Sequence, residues 1–184
     1  LLCPIGRLDK DTSGLILIAK NKYAAQQLER QRANHTLSRV YLALAEGHWT
    51  NQSKSGLIDR PIEKVPECFN RYQVADTGRP SRTEYEVLSE FTYEETPFSL
   101  VRLKLQTGRT HQIRVHMASL SHPLLGDSIY GHEGFLGFDR AALHSFEITC
   151  QLLGHQDLAV FSSEMPEDFQ KMIAKSINFS STLI

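Results

Sequence analysis

Apolar residues along this chain fall in short runs and alternations rather than in long periodic stripes, so the elements they predict are short. Leu15-Ile16-Leu17-Ile18-Ala19 is the first such run and reads as a short buried strand. Asn21 to Arg32 places Tyr23, Ala24, Gln27, Leu28 and Gln31 at helical spacing behind an asparagine cap. A surface helix with a weakly apolar face is expected there. Arg39 to Gly47 is strand-like by its β-branched and aromatic content. From His48 to Arg82 the turn formers Gly56, Pro61, Pro66, Gly78 and Pro80 dominate, and the strand expected within it is the segment around Gly56-Leu57-Ile58 alone. Thr83 to Leu88 and Ser99 to Leu105, the second alternating at period two, predict an antiparallel pair. Thr107-Gly108 breaks that strand, and Thr110 to Leu120 reads as a helix with Ile113, Met117 and Leu120 inward, ended by Pro123 to Asp127. Ala142 to Cys150 and Leu158 to Ser162 read as late strands, and Pro166 opens a C-terminal helix to about Lys175. Short helices among antiparallel strands predict an α+β fold: a mixed, largely antiparallel central sheet with flanking helices.

Composition narrows the setting without changing that picture. The 184 residues suffice for one domain with a real core, and 41% hydrophobic with 22% charged residues describe an ordinary globular chain. Cys3, Cys68 and Cys150 are odd in number and scattered, which argues against a disulfide framework or a metal knuckle and for a reducing cytoplasm. No stretch approaches a membrane span, and the start of the chain lacks the pattern of a signal peptide. A net charge of -1 means that a nucleic-acid partner must be met by a local patch. The patch is expected between Glu95 and Asp127, where no acidic residue occurs while Arg102, Lys104, Arg109, Arg114, His111, His116 and His122 do.

Candidate chemistry gathers first in Gly6-Arg7-Leu8-Asp9-Lys10-Asp11-Thr12-Ser13-Gly14, a loop of charges and hydroxyls bounded by glycines. A carboxylate held there at the edge of a strand is useful as nucleophile or base if a guanidinium keeps it charged and oriented. Asp9 with a distant arginine makes a workable pair. Tyr41 offers a stacking face for a base and a hydroxyl for proton transfer. Each residue taken alone has an ordinary alternative: a solvated turn for Asp9, a core strand residue for Tyr41, solvated helix charges for Arg109 and Arg114.

Taken together, these residues have a family's order and spacing. Gly6 to Leu15, then Arg39-Val40-Tyr41, then Thr107-Gly108-Arg109-Thr110-His111-Gln112-Ile113-Arg114-Val115-His116, then His122 to Asp127 and Tyr130-Gly131 resemble the RluA-type pseudouridine synthases, from the first loop to about Phe169. The resemblance implies isomerisation of a uridine in ribosomal or transfer RNA to pseudouridine, with no cofactor and no metal, by a single catalytic domain over 1–184. It implies Asp9 as the catalytic carboxylate, Arg114 as its ion-pair partner, Tyr41 stacked on the target base and Ile113 on the base's other side. Arg7 would hold the RNA open, and Thr12, Arg109, His111 and Gln112 complete the expected RNA-binding set. The expected state is a cytoplasmic monomer. Two departures stand out. Gly6 replaces the histidine usual in RluA-type chains and matches the related RsuA group instead, and the segment that precedes the first motif in the family is absent, so the chain is expected to lack an N-terminal part.

Two rival classes remain at this stage. Asp9-Lys10-Asp11-Thr12 is close to the D-x-D-x-T signature of phosphoaspartyl phosphatases, which need magnesium. It is one residue short, and Pro4 and Gly6 stand where an apolar strand should be. A catalytically silent RNA-binding module would use the basic stretch for affinity alone, with no need for a carboxylate facing phosphates.

Overall fold

The structure, a computed structural model, describes residues 2–182. The chain runs in the order β1 (Cys3–Ile5), β2 (Ser13–Gly14), β3 (Leu17–Ala19), α1 (Lys22–Ala33), β4 (Ser38–Glu46), β5 (Ser55–Asp59), β6 (Ile62–Lys64), β7 (Tyr72–Val74), β8 (Arg82–Tyr93), β9 (Thr96–Leu105), α2 (Gln112–Ser119), β10 (Leu143–Gln151), β11 (Leu158–Ser162) and α3 (Glu167–Thr182). The main sheet has the order β11-β10-β4-β9-β8-β5 with every neighbour antiparallel, and β2 adds a parallel pairing to β10. An α+β fold with a largely antiparallel sheet is therefore what the chain adopts.

β4 lies at the middle of this sheet, and its period of two sorts its side chains into two cores. Tyr41, Ala43 and Ala45 face α2 and pack with Ile113, Met117, Val101, Leu103 and Leu124. Leu42 and Leu44 face the other way and pack with Phe98, Phe138 and, from α3, Phe169 and Met172. Burying a side chain such as Met117 or Phe169 contributes about 1.5–3 kcal/mol. These two layers make β4 the rigid floor from which Tyr41 projects.

Four expectations need correction. The run 15–19 is not a buried strand: β3 pairs only with β1 in a two-stranded piece. Such a piece has one covered face, so Leu15 and Leu17 pack toward Leu28 of α1 while Ile16 and Ile18 stand in solvent. Tyr23 likewise points away from the packed face of α1, whose buried contact is Leu28. The stretch 48–82 holds the β6–β7 hairpin besides β5; two strands of three residues, the first confined between Pro61 and Pro66, leave no alternation to detect. β8 and β9 also continue to a tight turn at Glu94 and Glu95, both at positive φ, where a hairpin turn ordinarily carries Asn or Gly.

Candidate active site

Asp9 is held in a turn that Thr12 closes, its N–H donating to the Asp9 carbonyl at 3.0 Å. On one side Leu8 packs against the cluster around Tyr41 and Ile113. On the other, β2 pairs with His144 and Ser145 of β10, and Leu15 N–H donates to the Ser145 carbonyl at 2.9 Å. Gly14 makes this approach possible: its φ is +98°, and a Cβ there would lie 2.2 Å from the Ser145 oxygen. The loop is thus clamped onto the edge of β10, next to the strand that carries Tyr41.

Arg114 enters from α2 with a side chain 10% exposed. Its Nε and Nη2 both donate to the Asp127 carboxylate at 2.7 Å, and its Nη1 stands 3.9 Å from Asp9 Oδ2. Asp127 is fully buried, and its Oδ1 also accepts the N–H groups of Ile129 and Tyr130 at 3.0 and 3.1 Å. The preceding Gly126, at φ +68°, lets the chain turn there, since a Cβ would lie 2.4 Å from the Arg140 carbonyl oxygen. Asp127 therefore fixes the plane of the guanidinium and leaves one nitrogen for Asp9. Burial opposes the charge of Arg114, but the bonds to Asp127 and the charges of Asp127 and Asp9 outweigh it and raise its pKa.

Around this pair the polar groups are assigned by their partners. The Tyr130 ring lies 5.1 Å from the Arg114 guanidinium carbon. Its hydroxyl accepts Tyr72 N–H at 2.9 Å and shares a hydrogen bond with His111 Nδ1, also at 2.9 Å. Burial pushes the Tyr130 phenol up to about 12. Burial, then the charge of Arg114, lowers the pKa of His111, which favours the neutral imidazole. Burial also raises the pKa of Tyr41, which therefore keeps its proton at neutral pH.

Asp9, Tyr41 and Arg114 line one cleft together with Arg7, Thr12, Arg109, His111, Gln112 and Ile113. Their surroundings differ. Arg7 and Arg109 are exposed at its rim, whereas His111 and Ile113 are buried in its wall. Gln112 is buried too, and its amide is fully engaged. The oxygen accepts from Thr107 Oγ1 and Arg109 N, and the nitrogen donates to the Arg82 carbonyl and Thr83 Oγ1, all within 3.0 Å. That makes it the internal brace of the loop before α2, with no hydrogen-bonding capacity left over.

The acid-free stretch of sequence is not acid-free in space. Lys104 and Arg102 of β9 sit directly opposite Glu84 and Glu86 of β8. Among the described residues Arg7, Arg39 and Arg109 form no ion pair, and all three line the Asp9 cleft. Arg39 shares the face of β4 with Tyr41, and its guanidinium lies 3.6 Å from where a Cβ on Gly6 would sit, filling space beside the first loop. Sequence reasoning missed Arg39, Asp127 and Tyr130 as parts of the site. The last two lie in the His122–Asp127 and Tyr130-Gly131 motifs, where an acid beside a glycine was the available signal.

A family model described as RNA pseudouridylate synthase matches residues 2–119. The chain is 37% identical over 177 residues to a ribosomal large subunit pseudouridine synthase D of Nitrosomonas europaea, covering 92% of this chain and 49% of that relative. It is 40% identical over 168 residues to an uncharacterized RNA pseudouridine synthase, YhcT, of Bacillus subtilis, covering 91% and 54%. Among solved structures it matches the human RNA pseudouridylate synthase domain containing 1 with a TM-score of 0.77 and 30% identity, over 95% of this chain and 73% of the other. The chain thus spans about half the length of the curated relatives it matches.

Proposed function

Since the chain belongs to the RNA pseudouridylate synthase family, we propose that its cleft converts a uridine of RNA into pseudouridine, with Asp9 as the catalytic carboxylate. The observation that carries this reading is the convergence of Asp9, Tyr41 and Arg114, distant in sequence, in one cleft. The reaction breaks the bond from N1 to C1′, turns the uracil, joins C5 to C1′, loses the proton from C5 and places one on N1. A base must leave its stack to be reached, and a closed, positioned pocket keeps the detached ring in place. Asp9 acts on the sugar, either as nucleophile at C1′ or as base toward the C2′ proton, and the guanidinium of Arg114, 3.9 Å away, gives it direction. Tyr41 and Ile113 form the apolar sides for the base, and Arg7, Thr12 and Arg109 meet the RNA at the rim. The domain works without cofactor or metal, as a cytoplasmic monomer. Relatives named for the large ribosomal subunit make ribosomal RNA the first substrate class to examine, with transfer RNA second.

Mapping pseudouridines by carbodiimide modification and primer extension, in cells with and without the gene, tests the assignment. At least one stop is expected to vanish with the gene, and identical maps in ribosomal and transfer RNA contradict it. Tyr41→Phe keeps the stacking ring and loses a protonated hydroxyl. It is expected to leave RNA affinity intact and to lower kcat about 100-fold, the scale of a positioned proton donor. Equal kcat in the two proteins removes the hydroxyl from the chemistry. Binding should also weaken with salt. Arg109→Gln is expected to reduce the slope of log affinity against log salt by about 1, and Lys104→Gln, already opposed by Glu84, to leave it unchanged. Equal slopes in wild type and Arg109→Gln exclude a phosphate contact.

A further inference from the structure

Phe69 is 96% exposed, the most exposed large apolar side chain among the described residues, and it sits where β6 and β7 are joined. No packing explains it. The hairpin that carries it is firmly tied to the active-site wall: Tyr72 N–H donates to Tyr130 Oη, and the Tyr72 ring meets His111 edge-on at 5.6 Å. Between this hairpin and the loop before α2 runs a groove of about 480 Å³. It shares Gly108, Arg109 and Thr110 with the Asp9 cleft, so the two concavities lie on either side of one loop.

The charge of the groove is suited to a polyanion. Lys64, Arg79 and Arg109 line it and form no ion pair among the described residues. Its carboxylate, Glu63, is occupied by Gln73 Nε2 and Thr77 Oγ1 at 3.1 and 2.7 Å. Lys64 Nζ stands 5.9 Å from the centre of the Phe69 ring, which joins the far end of the groove to the exposed aromatic. Phe69 lies in the turn three residues before Tyr72 at the cleft wall, a separation of at most about 10 Å.

We propose that this groove is a second RNA subsite, in which Lys64, Arg79 and Arg109 hold the backbone of an unpaired strand leaving the Asp9 cleft and Phe69 stacks on one of its bases. The proposal rests on reading the Asp9 cleft as a uridine site. Aromatic stacking on single-stranded bases tolerates any base and needs an open ring face beside cations that track the backbone, which is what the hairpin tip and the groove present. The required substrate is accordingly a loop or a bulge, whose nucleotides beyond the extruded uridine are free to leave the helix.

The chain contains one tryptophan, Trp49, which is buried and stacked between Tyr85 and His122, so a second indole at the hairpin tip is optically distinct. The probe is an unmodified transcript of the host's large-subunit ribosomal RNA, with a transfer RNA transcript as second probe. In Phe69→Trp the solvent-exposed emission is expected to be quenched on adding RNA, while that of Trp49 stays. Phe69→Ala, which removes no buried contact, is expected to weaken RNA binding about 5- to 100-fold, the range of one stacked base. Unchanged affinity in Phe69→Ala, or unquenched tip emission in Phe69→Trp, overturns the subsite when the wild type binds RNA and forms pseudouridine, and leaves the proposed activity standing. A wild type that binds neither RNA overturns both.

Discussion

Replacing Asp127 with alanine is expected to cost about 3–5 kcal/mol of stability, the largest loss from any single truncation around the cleft. Arg114 is nearly buried, and Asp127 takes two of its nitrogens while standing fully buried itself. Removing the carboxylate leaves a guanidinium that cannot be neutralised inside the protein, together with unpaired N–H groups on Ile129 and Tyr130. Asp9, 3.9 Å from Nη1, is the remaining counter-charge, and it sits on a loop clamped elsewhere. For a chain of this size the loss corresponds to a melting temperature lower by roughly 6–20 °C. Asp127→Asn keeps the acceptor for the backbone and should lose less stability, but it frees the guanidinium to turn toward Asp9 and should therefore lose activity out of proportion to stability. An unfolding midpoint in Asp127→Ala equal to that of the wild type contradicts the account of Arg114 as an arginine aimed by its carboxylate partner.

How far the molecule could be read without its coordinates depended on what signalled each part. The helix behind Asn21, the strand around Tyr41 and the helix carrying Ile113, Arg114 and Met117 were legible. Asn21 caps its helix by accepting Ala24 N–H at 2.8 Å, and the other two carry enough apolar and β-branched residues to show as elements, although β4 is buried on both faces and α2 along six consecutive residues. The β6–β7 hairpin was not legible, since three-residue strands carry too little alternation, and the turn between β8 and β9 was hidden because Glu94 and Glu95 stand there at positive φ in place of Asn or Gly. In the site, Asp9, Tyr41 and Arg114 were legible through the motifs that contain them. The resemblance also implied Arg114 as the partner of Asp9, and Nη1 stands 3.9 Å from Oδ2; how the first loop is held there was not legible, because it depends on β2 docking beside β10, a pairing that Ser13-Gly14 alone cannot announce. Charge was the least transferable signal: Arg102 and Lys104 looked uncompensated along the chain, but Glu86 and Glu84 face them across the sheet. Gln112 shows the same limit for hydrogen bonding, since a polar residue in a binding motif turned out to hold the loop together from within.

Asp9→Asn carries the second large effect. The substitution preserves shape and nearly preserves volume, removes the negative charge, and leaves Arg114 held by Asp127, so the cleft should keep its form. Pseudouridine formation is expected to fall by at least about three orders of magnitude, because a group that attacks or deprotonates the sugar has no neutral substitute. RNA affinity is expected to stay level or rise slightly, since one negative charge leaves a polyanion site. This combination separates a catalytic carboxylate from a structural one, whose loss lowers stability and affinity together. It also separates the proposed reaction from the two rivals: a phosphatase needs magnesium, and a silent binding module has no turnover to lose. The direct test is release of tritium from RNA carrying 5-tritiated uridine, measured for the full-length wild type and Asp9→Asn with a chelator present. Release by the wild type and none above background by Asp9→Asn is the predicted result, and release by Asp9→Asn at the wild-type rate contradicts the role given to Asp9.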